Sequence, residues 1–207
     1  MDNFGQFREP LGESGRKTLE QMNEHHRDLA EWALSVIPDI CPKKILDIGC
    51  GGGMAISLLA EKFNSRMYGI DISDESVRMT SEYNAELVKT GTLSVSKDSV
   101  SEMPFENGSF DLVTAIETYF FWPNLSKDIL EVGRVVSVNG YVLIVSEVYP
   151  HPDFNERNGK MIEAYGMNVV SNHKMAEMLE DAGFEVETIE VEKNNWVAFL
   201  GRKLPSE

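Results

Sequence analysis

The feature that most constrains the fold of this chain is a glycine-rich stretch at residues 45–53, which reads ILDIGCGGG. A short apolar run ends there in an acid and is followed by four glycines within five positions. An apolar, helix-compatible segment over residues 54–63 comes next. The order strand, tight turn, helix is typical of the place where open α/β sheets bind nucleotide-like ligands. The glycines are needed because a turn packed against a ligand requires positive φ angles and no Cβ.

The acid within this turn separates two classes of ligand. Dinucleotide-binding enzymes present Gly-x-Gly-x-x-Gly to a pyrophosphate; here Gly49 and Gly51 fit, but Met54 occupies the third glycine position. Asp47 would repel a phosphate, whereas it suits an ammonium group. A second acid, Asp71, ends the next predicted strand, where an acid roughly 20 residues on commonly binds ribose hydroxyls. These residues favour a ligand with an adenosine part and a cationic amino-acid part, such as S-adenosyl-L-methionine.

At these residues the chain resembles the class I S-adenosylmethionine-dependent methyltransferases, in particular the small type 11 group. Five motifs in the expected order carry the resemblance, at residues 46–53, 69–73, 103–105, 109–113 and 131–135. The resemblance covers residues 45–202. It implies an α/β fold of the three-layer, Rossmann-like methyltransferase type, with a mostly parallel seven-stranded sheet whose last strand is antiparallel.

The length of 207 residues and the hydrophobic content of 42% suit one domain with a complete core. We predict a single methyltransferase domain over residues 1–207. Its parts are an N-terminal arm and lid helix (1–40), a cofactor-binding core (43–147), a substrate-lid segment (148–171), and a C-terminal helix and strand pair (172–207). Glycine and proline favour an irregular arm over residues 1–15, and apolar spacing favours one helix over residues 16–37. Residues 150–170 show no clear regular pattern.

Charge and targeting signals narrow the range of partners. The formal net charge of −15 would repel a polyanionic backbone, which disfavours nucleic acid as substrate. We find no apolar stretch long enough to span a bilayer, and the first residues lack the features of a signal peptide. Two cysteines do not suggest a disulfide framework. We therefore expect a cytoplasmic protein that acts on a small-molecule acceptor without a membrane partner, as a monomer or homodimer.

The resemblance also implies how the cofactor is held. The glycine-rich turn would hold the methionine part, Asp71 the ribose, and Ile72 would pack on the adenine. The loop after the third strand departs from the family, because the usual acid that meets the adenine amino group falls on Ser99. We expect Ser99 or Asp98 to take that role, with the N–H of Val100 close by. The predicted cofactor-binding residues are Asp47, Gly49, Cys50, Gly51, Asp71, Ile72, Ser73, Asp98, Ser99, Val100, Ile116 and Glu117.

The candidates for catalysis are less well defined. Glu117 follows an apolar strand, so its carboxylate could lie near the sulfonium, orient the cofactor ammonium, accept a substrate proton or be solvated. If an oxygen or nitrogen nucleophile needs a base, the candidates are Glu117, Tyr149, His151, His25 and His26. The sequence shows no spacing typical of metal ligands, so we expect no metal. An aromatic run at residues 119–122 is equally suited to the core and to the wall of an acceptor pocket.

Three functions remain open at this point. The favoured one is direct transfer of a methyl group from S-adenosyl-L-methionine to a small molecule, which leaves S-adenosyl-L-homocysteine. Apolar side chains among residues 150–170, together with residues 16–37, would then select an acceptor with hydrophobic parts. A non-catalytic module that only binds the cofactor is an alternative. A nicotinamide-dependent oxidoreductase would share the fold, but it needs a glycine where Met54 stands.

Overall fold

The computed structural model describes residues 5–205, which contain seven strands and nine α-helices. The strands are β1 (Lys44–Ile48), β2 (Arg66–Asp71), β3 (Leu93–Lys97), β4 (Phe110–Ile116), β5 (Val136–Ser146), β6 (Phe184–Val191) and β7 (Trp196–Lys203). The helices are α1 (Gly5–Arg8), α2 (Gly12–His25), α3 (Arg27–Ser35), α4 (Met54–Lys62), α5 (Asp74–Tyr83), α6 (Ala85–Lys89), α7 (Leu125–Val135), α8 (Asn155–Tyr165) and α9 (Asn172–Asp181). Short 3₁₀ turns lie at Tyr119–Phe121, Pro152–Phe154 and Glu192–Asn194.

The strands form one seven-stranded sheet in the order β3-β2-β1-β4-β5-β7-β6. Strands β1 to β5 pair in parallel, and β7 runs antiparallel to both β5 and β6. The predicted fold, with a mostly parallel sheet and an antiparallel last strand, is therefore confirmed. The strand order reverses between β1 and β4, and in such sheets the ligand crevice lies beyond the carboxyl ends of the strands at that point.

Two hydrophobic clusters hold the layers together, and alternate residues of the same strand contribute to different clusters. In β1, Leu46 and Ile48 join the cluster with residues of α7 and α9, whereas Ile45 joins the one with residues of α3 and α4. Since successive side chains of a strand point to opposite faces, helices cover both faces of the sheet. The strands are apolar on both sides for this reason, as the buried residues of β4 illustrate.

The N-terminal region differs from the sequence prediction. The predicted single helix over residues 16–37 consists of α2 and α3, because the backbone at His26 leaves the helical region (φ −92°, ψ 3°). Of the predicted irregular arm, residues 1–4 lie outside the described residues, and the rest contains α1 and the start of α2. Close packing, and not an irregular chain, explains the glycine within α2. A Cβ on Gly15 would lie 2.6 Å from the carbonyl carbon of Pro10.

Two further differences concern the C-terminal half. Residues 150–170, which show no regular pattern in the sequence, contain α8, and this helix ends at Gly166 with a φ of +62°. The dipeptide Asn139-Gly140, a composition typical of turns, lies within β5, where Asn139 has a φ of +63°. The pairing of β4 with β5 shifts register there, so the strand continues through an irregularity. Among residues 5–205, no helix combines the length and apolarity that a bilayer span requires.

Candidate functional site

The glycine-rich turn after β1 has the backbone geometry that its composition predicts. Gly49, Gly51 and Gly53 have φ angles of +71°, +52° and +84°. The N–H groups of Gly49 and Cys50 both donate to the carbonyl of Ile70, at 2.8 and 3.1 Å. A Cβ on Gly49 would overlap the hydroxyl of Thr118 and lie 2.9 Å from its Cβ. The turn therefore requires glycine both for its dihedral angles and for its close approach to the segment after β4.

Side chains from two helices hold the carbonyl groups of this turn. Thr80 of α5 donates to the carbonyl of Gly51 at 2.9 Å, and Asn84 donates to that of Gly53 at 2.9 Å. Asn23 of α2 donates to the carbonyl of Gly52 at 3.0 Å. The conformation of the turn is thus fixed by the protein itself, which lowers the ordering cost when a ligand binds.

Asp71 ends β2 beside the turn. One carboxylate oxygen accepts a hydrogen bond from the N–H of Gly51 at 3.0 Å, and the other accepts from the N–H of Ser73 at 2.9 Å. Burial raises the pKa of this carboxyl, and the two N–H donors act in the opposite direction. These bonds fix the carboxylate at the carboxyl end of β2, where a ribose diol would meet a charged acceptor.

Asp47 lies almost entirely buried near the end of β1. Its Oδ1 accepts a hydrogen bond from the hydroxyl of Thr114 at 2.6 Å. Burial raises the pKa of Asp47 to about 7, the Thr114 hydroxyl opposes this rise, and the charge of Asp71 adds to it. A cationic group beside Asp47 would therefore be stabilised by a carboxylate with few competing partners.

The smaller of two adjoining cavities, with a volume of about 130 Å³, opens onto the turn and these two acids. Among the predicted cofactor-binding residues, Asp47, Gly49, Cys50, Gly51, Asp71, Ile72, Asp98, Ser99, Val100, Ile116 and Glu117 line it. Ser73 is not among its described lining residues, because its hydroxyl donates to the carbonyl of Pro10 at 2.5 Å and accepts from the N–H of Ser76, capping α5. Ser73 is thus the N-cap of α5, its hydroxyl is engaged within the protein, and its predicted contact with the cofactor stays a prediction.

A larger cavity of about 570 Å³ adjoins the smaller one. The two share five lining residues: Phe7, Met22, His26, Glu117 and Phe121. Apolar side chains of α8 and its surroundings, Met161, Tyr165 and Met167, line the larger cavity on another side. The predicted lid segments thus face one continuous cleft, and Phe7 of the predicted irregular arm lines it as well.

Glu117 stands at the junction of the two cavities in a strained conformation. Its φ is +56°, which is rare for a residue with a side chain, and its Oε1 accepts from the N–H of Glu147 at 2.6 Å. Burial and the neighbouring charge of Glu147 raise the pKa of Glu117 to about 8. The carboxyl is therefore mostly protonated at neutral pH and able to donate a hydrogen bond.

The other candidate bases fall into two groups. His25 and His26 both line the larger cavity: His25 Nε2 lies 3.1 Å from Glu147 Oε1, and burial lowers the pKa of His26 to about 4. Tyr149 and His151 are not among the described residues that line either cavity. The hydroxyl of Tyr149 donates to Glu190 at 3.2 Å, and Nδ1 of His151 accepts from the N–H of Asp153.

The aromatic run at residues 119–122 serves both roles that its sequence left open. Tyr119, Phe120 and Trp122 are buried in the core. Phe121 lines both cavities, Phe120 also faces the larger and Trp122 the smaller. The run therefore joins the core to the cleft.

Comparison with known proteins agrees with this architecture. Residues 46–144 match the family model described as "Methyltransferase domain", Methyltransf_11. Tocopherol O-methyltransferase of Arabidopsis thaliana is 32% identical over 104 residues, which are 50% of this chain and 30% of that protein. Ajmaline N-methyltransferase of Rauvolfia serpentina is 30% identical over 112 residues, which are 54% of this chain and 38% of that protein. The matched part thus spans about a third of the length of such relatives.

A solved structure extends the similarity to almost the whole fold. Its description is "Complex between the Haloferax volcanii Trm112 methyltransferase activator and the putative methyltransferase". Its TM-score is 0.80 at 19% identity, and the superposition covers 91% of this chain and 95% of that one. The fold and the glycine-rich turn are those of the class I S-adenosylmethionine-dependent methyltransferases. Within that class, residues 46–144 match the type 11 methyltransferase family, as the motifs of this stretch indicate.

Proposed function

We propose that this protein binds S-adenosyl-L-methionine in the smaller cavity and catalyses transfer of its methyl group to a small molecule bound in the larger one. One observation carries the proposal: the glycine-rich turn and Asp71 line a cavity that meets a second, largely apolar cavity at Glu117. When bound, the cofactor would supply an electrophilic methyl group for direct displacement. The protein then has to align the two ligands and exclude water. Alignment is effective because it converts a bimolecular reaction into one that is effectively unimolecular.

The residues of the smaller cavity fit this cofactor. Asp47 would bind the ammonium group, Asp71 the ribose hydroxyls, and the apolar side chain of Ile72 would pack on the adenine. The loop of Asp98, Ser99 and Val100 would meet the adenine edge. Two acids together with apolar walls match a cationic ligand with an aromatic base and would repel a pyrophosphate.

The volume of the smaller cavity sets a condition on binding. Ligand sites usually occupy about 300–1,000 Å³, whereas this cavity has about 130 Å³, and Phe7, Arg8 and Pro10 of the N-terminal region are among its lining residues. We therefore expect α1 and the start of α2 to move outward when the cofactor enters.

The acceptor would be a small molecule with an apolar body and a polar group. Met22, Phe120, Phe121 and Met161 offer apolar contacts, whereas the acids and histidines lie at one wall of the larger cavity. The relatives named above have tocopherol and ajmaline in their names, which are small molecules with large apolar parts. Nucleic acid is disfavoured by the net charge of −15. A cytoplasmic location and a monomeric or homodimeric state stay predictions.

Isothermal titration with S-adenosyl-L-methionine and S-adenosyl-L-homocysteine tests the cofactor. We expect the wild type to bind both and Asp71→Ala to lose most of the affinity, because a charged acceptor for the ribose is removed. Asp74→Ala is the matched control, since Asp74 is an exposed acid nearby that pairs with Lys97 at 2.7 Å. Equal loss in both variants would contradict the proposed role of Asp71.

An acceptor screen with a labelled methyl group tests catalysis. Label transfer to compounds with hydrophobic parts would support the proposal, whereas turnover only of charged, sugar-like compounds would refute the apolar acceptor. Cofactor binding without transfer to any acceptor would favour the non-catalytic module. Tight binding of NADH without binding of S-adenosyl-L-methionine would favour the oxidoreductase.

A further inference from the structure

Three potential metal ligands meet at one wall of the larger cavity. His25 ends α2, His26 follows it, and Glu147 follows β5. Nε2 of His25 lies 3.1 Å from Oε1 of Glu147, and Nε2 of His26 lies 4.0 Å from the same oxygen. One ligand atom from each residue can be chosen so that all three lie within 4.8 Å of one another.

We propose that His25, His26 and Glu147 form a binding site for a divalent transition-metal ion. Bonds of about 2.0–2.2 Å to imidazole nitrogen and carboxylate oxygen place the ligand atoms of a tetrahedral site about 3.3 Å apart. The contact between His25 and Glu147 already meets this spacing, and the contact to His26 exceeds it by less than 1 Å. The chosen nitrogens of the two histidines lie within 4.8 Å of each other, so side-chain rotations that move a ligand atom by up to about 1.5 Å close the site, and the exposed side chain of His25 can make such a move.

The break between α2 and α3 makes this arrangement feasible. In a continuous helix, neighbouring residues point about 100° apart around the axis and do not face one point. At His26 the helix is interrupted, and the centroids of the two imidazole rings lie 5.0 Å apart. The helix break is thus a local irregularity that turns two consecutive histidines toward the same carboxylate.

The main chain of Glu147 is fixed from several sides. Its N–H donates to Glu117, and its carbonyl accepts from Arg157 at 2.6 Å and from Asn195 at 2.7 Å. These bonds hold the backbone, so the Glu147 carboxylate is presented to the histidines from a defined position. Supporting contacts of this kind are what orient metal ligands in proteins.

The donor set selects the kind of ion. Two imidazoles and one carboxylate suit zinc, iron, cobalt or nickel, whereas magnesium and calcium prefer oxygen ligands alone. Three protein ligands leave a coordination position open, as in catalytic rather than structural zinc sites. Because the three residues line the larger cavity, that position faces the space assigned to the acceptor. An oxygen of the acceptor would bind there, and this last step rests on the proposed function.

A simpler arrangement explains part of the geometry. His25 and Glu147 can form an ion pair without a metal, and exposed pairs of this kind are common. Such a pair gives no reason for His26 to approach the same oxygen, and it predicts no stoichiometric uptake of metal. The two arrangements therefore differ in a direct measurement.

Titration of the untagged full chain with Zn²⁺ by calorimetry, and with Co²⁺ by visible absorption, tests the site. We expect one ion per chain. His25→Ala, His26→Gln and Glu147→Gln should each weaken binding about tenfold or more, since even supporting residues of metal sites are worth that much. The control is His173→Ala, which removes an exposed histidine 3.2 Å from Glu177 on α9 and should leave the affinity unchanged.

Failure of the proposal is distinguishable from misfolding and from failure of the proposed function. His25 is 66% exposed, so its substitution does not threaten the core, and thermal unfolding of each variant checks the others. No stoichiometric binding by the wild type would overturn the proposal, as would binding that only His173→Ala removes. Cofactor titration of the same samples is independent: metal uptake without cofactor binding would refute the proposed function and leave the metal site standing.

Discussion

Substitution of Gly49 by alanine measures how tightly the glycine-rich turn is constrained. At its φ of +71° an alanine has a conformational cost of about 1–2 kcal/mol. The new Cβ would also overlap Thr118, because it would lie 2.9 Å from the Cβ of that residue. Overpacking of this kind costs about 1–3 kcal/mol. The free energy of unfolding should therefore fall by about 2–5 kcal/mol, a large share of the roughly 5–15 kcal/mol of a typical domain.

Gly91→Ala separates the two contributions. Gly91 has almost the same dihedral angle, with a φ of +73°, and a Cβ there would meet nothing within 4 Å. Its substitution should lower the free energy of unfolding by the conformational cost alone. Urea unfolding of both variants gives the difference, which is the cost of the close approach to Thr118. The double variant Gly49→Ala/Thr118→Ala should recover part of that difference. If Gly49→Ala costs no more than Gly91→Ala, the packing argument is refuted.

Asp47 should make cofactor binding depend on pH: its pKa of about 7 leaves the carboxyl protonated below that value. The affinity for S-adenosyl-L-methionine should then fall by up to about tenfold per pH unit below 7, and calorimetry should show most of this slope lost in Asp47→Asn. Thr114→Val removes the hydroxyl that stabilises the charged form, so the decline should begin at a higher pH; an unchanged onset would contradict this. Tyr149→Phe should leave methyl transfer unchanged in the acceptor assay, because its hydroxyl contacts Glu190; a loss of about 10²–10⁴-fold would mark Tyr149 as a base.

The parts of the fold that were predictable depend on local signals. The strand, the glycine-rich turn and α4 follow from an apolar run, glycines and an apolar helix within twenty residues, and the position of Asp71 follows from the next strand. The N-cap of α5 depends on a local signal as well, because Ser73 directly precedes the two acids of the first turn. The number of strands and the antiparallel direction of the last one came from the resemblance to a family, because pairing between distant strands leaves no local pattern; the strand order is a finding of the structure.

The parts that were missed depend on contacts between distant residues. Apolar spacing continues through residue 26, so it could not reveal the interruption at His26. The hydroxyl of Ser73 donates a hydrogen bond to the carbonyl of Pro10, and the sequence alone does not show that these two residues lie side by side. The convergence of His25 and His26 with Glu147 escaped for the same reason: ligand spacing is visible in a sequence only when the ligands are near each other along the chain.

The wall that the two cavities share links the thermodynamics of their ligands. Phe7, Met22 and His26 belong to one short N-terminal segment and line both cavities. A displacement of this segment by one ligand therefore changes the site of the other. Reciprocity then applies: the factor by which the methyl donor changes the affinity for the acceptor equals the factor by which the acceptor changes the affinity for the methyl donor. The coupling between donor binding and acceptor binding would thus depend on residues that precede the first strand of the sheet.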